Sequence, residues 1–96
     1  MIALTASQIE TKLPELSGWT FTDGVLSKTV TVKDFREAFT LMTRIAFEVE
    51  QMNHHPSWTN TYNTIQFKLS THECEGVSEK DFALANIIDT IIKNTF

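Results

Sequence analysis

Apolar residues recur along this chain with two different periods, and the places where the period changes outline its elements. In the first segment Ile9, Leu13 and Leu16 share one helical face, and Thr5 is a suitable N-cap. Pro14 falls inside that segment, where a residue without an N–H weakens the second half of a helix, and Gly18 ends it. From Trp19 the period becomes two. Trp19-Thr20-Phe21 alternates, Asp23-Gly24 signals a tight turn, and Leu26 to Val32 follows with β-branched residues, which predicts a β-hairpin.

The spacing predicts a long helix from Lys33 to about Met52, with Phe35, Ala38, Phe39, Met42, Ile45, Ala46 and Val49 forming one broad apolar stripe. Pro56 biases His55 away from helical geometry, so the helix stops at or before His54. Trp58 to Ser70 reads as extended, but its phase slips. Trp58, Asn60 and Tyr62 share one parity and Ile65, Phe67 and Leu69 the other, so a bulge or break is expected near Asn63.

Ser78 caps a last helix, with Glu79 and Asp81 near its positive end. Its apolar residues (Phe82, Leu84, Ala85, Ile87, Ile88, Ile91, Ile92) exceed one stripe, so a second face is expected at a subunit contact. The residues alone give the order α-β-β-α-β-α. That order predicts an α+β layer with helices on one face of an antiparallel sheet, the other face being solvated or paired with another subunit.

Composition narrows the class without changing the picture. Ninety-six residues, 42% hydrophobic and 21% charged, make one soluble globular domain, 1–96. A chain this short buries a modest share of its surface, so an oligomer is expected. A net charge of -4 argues against a broad basic surface for nucleic acid. Lys28, Lys33 and Arg36 read as a solvated surface rather than a basic patch. Cys74 is the sole cysteine, which fits a reducing compartment. Neither a signal peptide nor a membrane-length apolar run is visible, so a soluble intracellular protein is expected.

The chemistry concentrates in two places. Glu50 to Pro56 carries His54 and His55, and Thr71-His72-Glu73 carries the third and last histidine. Histidine exchanges protons near neutrality, so three of them at element ends suggest proton transfer. Neighbouring residues in extended chain point in opposite directions, which gives His54 and His55 different tasks. His72 ends a strand that the sheet can bring beside the helix end. Surface histidines without a task are the bland alternative. Zinc is another, disfavoured because adjacent ligands are awkward. A Cys74–His72 nucleophilic pair has only shared strand parity behind it. Glu50 stands one turn before His54, within reach if the helix persists. Asp81 in a first helical turn is ordinarily a solvated acid that complements the dipole. Trp58 is either a wall for a flat heterocycle or part of the core.

Several of these residues recur together in one known pattern: the acidic residue before His54-His55-Pro56, then Trp58, Tyr62, Leu69-Ser70-Thr71-His72, Gly76, and Ser78-Glu79-Lys80-Asp81 before Leu84-Ala85 and Ile88-Asp89. Gly18-Trp19, Leu26 and Phe35 to Phe39 fit it as well. From Leu4 to Ile92 the chain resembles the pterin-4a-carbinolamine dehydratase family, whose vertebrate members also act as dimerization cofactors of a homeodomain transcription factor.

The resemblance implies four antiparallel strands with three helices on one face, in the order α-β-β-α-β-β-α, and a homodimer or homotetramer. It implies loss of water from 4a-hydroxytetrahydrobiopterin to give quinonoid dihydropterin, recycling the pterin used by aromatic amino acid hydroxylases. No metal or organic cofactor is implied. His54 and His72 would be the principal acid–base residues, His55 would bind and orient the pterin and assist proton transfer, and Asp81 would hold or polarise a histidine. Glu50, Asn53, Pro56, Trp58, Thr71 and Lys80 would line the substrate site. Asn53 stands where the vertebrate pattern has an aspartate, and Lys80 where it has an arginine, which loses a planar bidentate donor.

The expected location is cytoplasmic, and nuclear as well in a eukaryote. The alternative function is an interaction module that binds a transcription-factor helix, for which the apolar excess at Ile87, Ile91 and Ile92 is the sequence signal. A third is dehydration of another reduced pterin or folate-like carbinolamine.

Overall fold

The computed structural model describes residues 2–96. Thr5 opens helix α1 (Ala6–Lys12) with a capping box, in which its hydroxyl takes the Gln8 N–H and the Gln8 side chain takes the Thr5 N–H. Pro14 does not sit within this helix. The chain tightens into a 3₁₀ turn, Leu13–Glu15, where a proline near the start removes no needed donor. Gly18 (φ 78°) then swings the chain round so that Trp19 enters the core.

Strands β1 (Thr20–Thr22) and β2 (Val25–Thr31) form the predicted hairpin. Asp23 and Gly24 both have positive φ (53° and 80°), the type I′ geometry that matches strand twist. Helix α2 runs Phe35–Met52, starting two residues later than expected. The Asp34 side chain accepts the Glu37 N–H, which holds Asp34 extended as the N-cap.

The phase slip is a chain reversal. Strands β3 (Ser57–Thr61) and β4 (Thr64–Leu69) are separated by Tyr62 (φ 51°) and Asn63. Asn60 and Asn63 pin this turn by donating to the carbonyls of Tyr62, Thr64 and Val32. Helix α3 (Glu79–Thr95) completes the order α-β-β-α-β-β-α. All strand pairs are antiparallel, in the order β1-β2-β4-β3, and the three helices pack on one face.

The sheet's two faces differ sharply. Leu26, Val30, Ile65, Phe67 and Leu69 point at the helices and are buried, and Trp58 packs edge-on against Phe67 with ring centroids 5.8 Å apart. The register aligns Leu26 with Leu69 and Val30 with Ile65, so these side chains stack across strands. The opposite face carries the aligned rows Thr29–Gln66–Thr59 and Thr31–Thr64–Thr61.

Three expectations about burial change. On α2 the core arc is Ala38, Leu41, Ile45 and Val49. Phe35 (48% exposed), Phe39 (58%) and Ala46 face outward, as does Phe47 (73%). The apolar arc of this helix is wider than its contact with the sheet, so only the part centred on Leu41 and Ile45 is covered. On α3, Ile91 is buried, which leaves Ile87 and Ile92 half-buried at the edge. Lys28 is no surface cation: its Nζ is 2.8 Å from Asp89 Oδ1, 2.6 Å from the Ser17 carbonyl, and beside the Trp19 ring. Among the described residues no helix is long and apolar enough to cross a membrane.

Candidate active site

The site begins where α2 ends. Asn53 takes the left-handed conformation (φ 54°, ψ 43°), and its N–H closes onto the carbonyls of Glu50 and Val49. Asparagine tolerates this conformation better than most residues, so position 53 is the stop signal of the helix. The helix therefore does not persist to His54, and Glu50 does not reach that ring. Glu50 Oε1 lies 3.0 Å from His55 Nε2 instead, in a pair open to solvent.

His54 and His55 part company as extended neighbours should. His54 is buried (8% exposed), with Nε2 2.6 Å from Asp81 Oδ1. Asp81 is fully buried, contrary to the solvated acid that its place in the sequence suggests. It is the N3 residue of α3, and its Oδ2 accepts the Ser78 N–H at 2.9 Å and the Thr71 hydroxyl at 2.7 Å. A carboxylate with this many donors is stabilised in place of water.

His54 thus has one ring nitrogen committed to Asp81. No side-chain nitrogen or oxygen among the described residues is both sealed from solvent and without a partner, and Nδ1 makes no hydrogen bond there. Nδ1 is therefore the atom that reaches the surface.

His72 is exposed and starts a 3₁₀ turn, His72–Cys74, rather than ending a strand. The chain around it is closed by the Thr71–Gly76 bridge, with the Thr71 N–H 2.7 Å from the Gly76 carbonyl. Cys74 Sγ faces the carbonyls of Thr71 and Gly76, so no sulfur–imidazole pair forms with His72.

Two groupings emerge. His54, Thr71 and Asp81 are joined by hydrogen bonds, with His72 and Lys80 each one residue from a member. Glu50, His55, Pro56 and Trp58 line a depression of about 470 Å³ together with Ala46, Phe47 and Val49. That volume suits a small heterocyclic ligand. Asn53 is the hinge between the groupings.

The sequence alone does not mark Ser78, Ala46, Phe47 or Val49 as site residues, Ala46 and Val49 having the spacing of core positions. Ser78, a helix cap by its place in the sequence, is also a fully buried member of the Asp81 network; the serine three residues before an acid is the visible signal. Phe47 falls one helical turn before Glu50 and so shares its face. Among the described residues no group of three or more His, Cys, Asp or Glu side chains is arranged to hold a metal ion.

The comparisons with known proteins agree with one another. The family described as pterin 4 alpha carbinolamine dehydratase matches residues 2–91. A protein of Christiangramia forsetii, provisionally named a pterin-4-alpha-carbinolamine dehydratase, is 44% identical over 95 residues, covering 99% of this chain and 98% of the relative. A crystal structure from Brucella melitensis, described as a transcriptional coactivator/pterin dehydratase, superposes with a TM-score of 0.90 at 35% identity, covering 93% of this chain and 97% of that one. A pterin dehydratase-like RuBisCO assembly factor of the alpha-carboxysome shares the fold alone, with a TM-score of 0.64 at 15% identity over 76% of this chain and 84% of that one. A match over nearly the full length, in sequence and in fold, places this chain in the pterin 4 alpha carbinolamine dehydratase family.

Proposed function

We propose that this protein dehydrates 4a-hydroxytetrahydrobiopterin to quinonoid dihydropterin in the recycling of tetrahydrobiopterin for aromatic amino acid hydroxylases. The observation that carries this reading is the buried Asp81–His54 pair. A carboxylate that takes Nε2–H fixes the imidazole's orientation and tautomer, leaving Nδ1 as the proton-transfer atom.

In the reaction the C4a–O bond breaks, the N5–H bond breaks and a C4a=N5 bond forms. One imidazole removes the N5 proton and another protonates the departing hydroxyl, so that water leaves. His54 and His72 are the two acid–base residues, in either order. His55, steadied by Glu50, orients the pterin against Pro56 and Trp58, while Asn53, Thr71 and Lys80 complete the surroundings. Asp81 acts through His54 and is a positioning residue. The chemistry requires no metal or organic cofactor, and the enzyme works as a homo-oligomer in the cytoplasm.

The test is the decay of freshly generated 4a-hydroxytetrahydrobiopterin, followed by ultraviolet absorbance with wild type and His72→Ala. Catalysed decay is expected for wild type, falling at least about a hundredfold in the variant with unchanged oligomer size.

A second reading has its own observation. Phe35 and Phe39, exposed side by side on α2 with ring centroids 5.8 Å apart, offer an apolar patch suited to a protein partner, and Phe47 is exposed farther along the same helix. The Brucella relative's description as a coactivator favours the same direction. A folded wild type that leaves the decay at its uncatalysed rate would favour such a module.

A further inference from the structure

Ser78, Thr71, Asp81 and His54 are the only polar or charged side chains buried among the described residues, and they form one network. Burying four such groups is costly unless each is paired, and each is. Counting hydrogens fixes the direction of every bond. The Thr71 hydroxyl has one hydrogen, given to Asp81 Oδ2 at 2.7 Å. The 2.6 Å contact between Thr71 Oγ1 and Ser78 Oγ therefore has Ser78 as donor. The Ser78 oxygen is in turn an acceptor, taking the Lys80 N–H at 3.2 Å. The chain thus runs Lys80 N–H to Ser78, Ser78 to Thr71, and Thr71 to Asp81, whose other oxygen receives His54 Nε2–H.

We infer that Ser78 is a positioning residue for the acid–base histidine, an inference that rests on the dehydratase reading above. Its hydroxyl occupies the acceptor side of Thr71, which forces the Thr71 hydrogen toward Asp81. Two fixed donors, Thr71 Oγ1 and Ser78 N, then hold Oδ2, so the carboxylate cannot swivel and Oδ1 stays on His54. The His54 ring is kept with Nε2–H inward and Nδ1 outward. Capping alone would require only that Ser78 accept the Lys80 N–H; the donated hydrogen is the second function. Thr71, 4% exposed and with its only hydrogen already given, serves the same task.

The deciding experiment is long-range ¹H–¹⁵N NMR of the histidine rings, which distinguishes Nδ1–H from Nε2–H, run beside steady-state kinetics. Wild type is expected to show His54 as the Nε2–H tautomer. Ser78→Gly keeps an acceptable cap residue but loses the donor. It should mix the two tautomers and lower kcat about fivefold to tenfold, the scale of one hydrogen bond, with KM little changed. Ser78→Thr restores cap and hydroxyl and should restore both readings.

If Ser78→Gly does not fold, Thr71→Val removes the next hydroxyl at constant shape and should give the same tautomer mixture. An unaltered tautomer and kcat in a folded Ser78→Gly or Thr71→Val variant would overturn the inference, as would equal losses in the Gly and Thr variants at position 78. A wild type that does not turn over the carbinolamine defeats the dehydratase reading, while the tautomer measurement still decides the network.

Discussion

Helix α3 carries two aspartates that look alike as chemistry and differ in what they make possible. Asp81 accepts from one backbone N–H (Ser78) and two side chains (Thr71 and His54). Asp89 likewise accepts from one backbone N–H (Ser17) and two side chains (Trp19 and Lys28). Each gathers separate stretches of chain onto the helix. The difference lies in the partner. Lys28 gives its remaining contact to the Ser17 carbonyl, and Trp19 has no second polar atom. His54 has a second ring nitrogen, and binding one leaves the other free of any partner among the described residues, the atom to which the proposed mechanism gives the proton transfer. A carboxylate clamp becomes part of an active site only when what it holds has an atom to spare.

The comparison breaks most visibly at Asp81. Asp81→Ala leaves His54, Thr71 and the Ser78 N–H unpaired in the interior, and should lower the unfolding free energy by about 3–5 kcal/mol in urea titration. Turnover should be lost with it. Asp89→Ala removes a clamp at 17% side-chain exposure, and a smaller loss of about 1–3 kcal/mol is expected. Turnover per folded molecule should stay within about twofold, since no proton-transfer atom depends on Asp89. A large fall in kcat for Asp89→Ala would erase the distinction between the two clamps. Glu50→Gln should have the smallest effect, because its pair with His55 is open to solvent. Its stability change should lie within about 1 kcal/mol, and a rise in KM without a matching fall in kcat would place Glu50 in pterin binding.

Legibility from sequence followed the range of the forces involved. Thr5, Asp23-Gly24 and Pro56 act through bonds a few residues long, and the elements they start, turn or stop stand where they were read. The phase slip at Asn63 marked a real reversal for the same reason: side-chain parity is a local property of a strand. Burial was harder to read. Phe35 and Phe39 have the spacing of core residues but lie outside, because the sheet covers only part of the arc that α2 offers. Lys28 read as surface, yet it meets Asp89, sixty-one positions away.

Sequence by itself determined the family pattern, the order of elements and the adjacency of His54 and His55, since these depend on local backbone preference and on residue identity along the chain. Tertiary structure alone decided that Asp81 is buried, that it takes His54 while Glu50 takes His55, and that Ser78 gives its hydrogen to Thr71. The pairings of Asp81 form between stretches that meet only when α3 docks against the end of α2 and the turn after β4, and with His54 turned inward its neighbour His55 is left to Glu50, five residues back. Their direction then follows from how few hydrogens a buried cluster has to share.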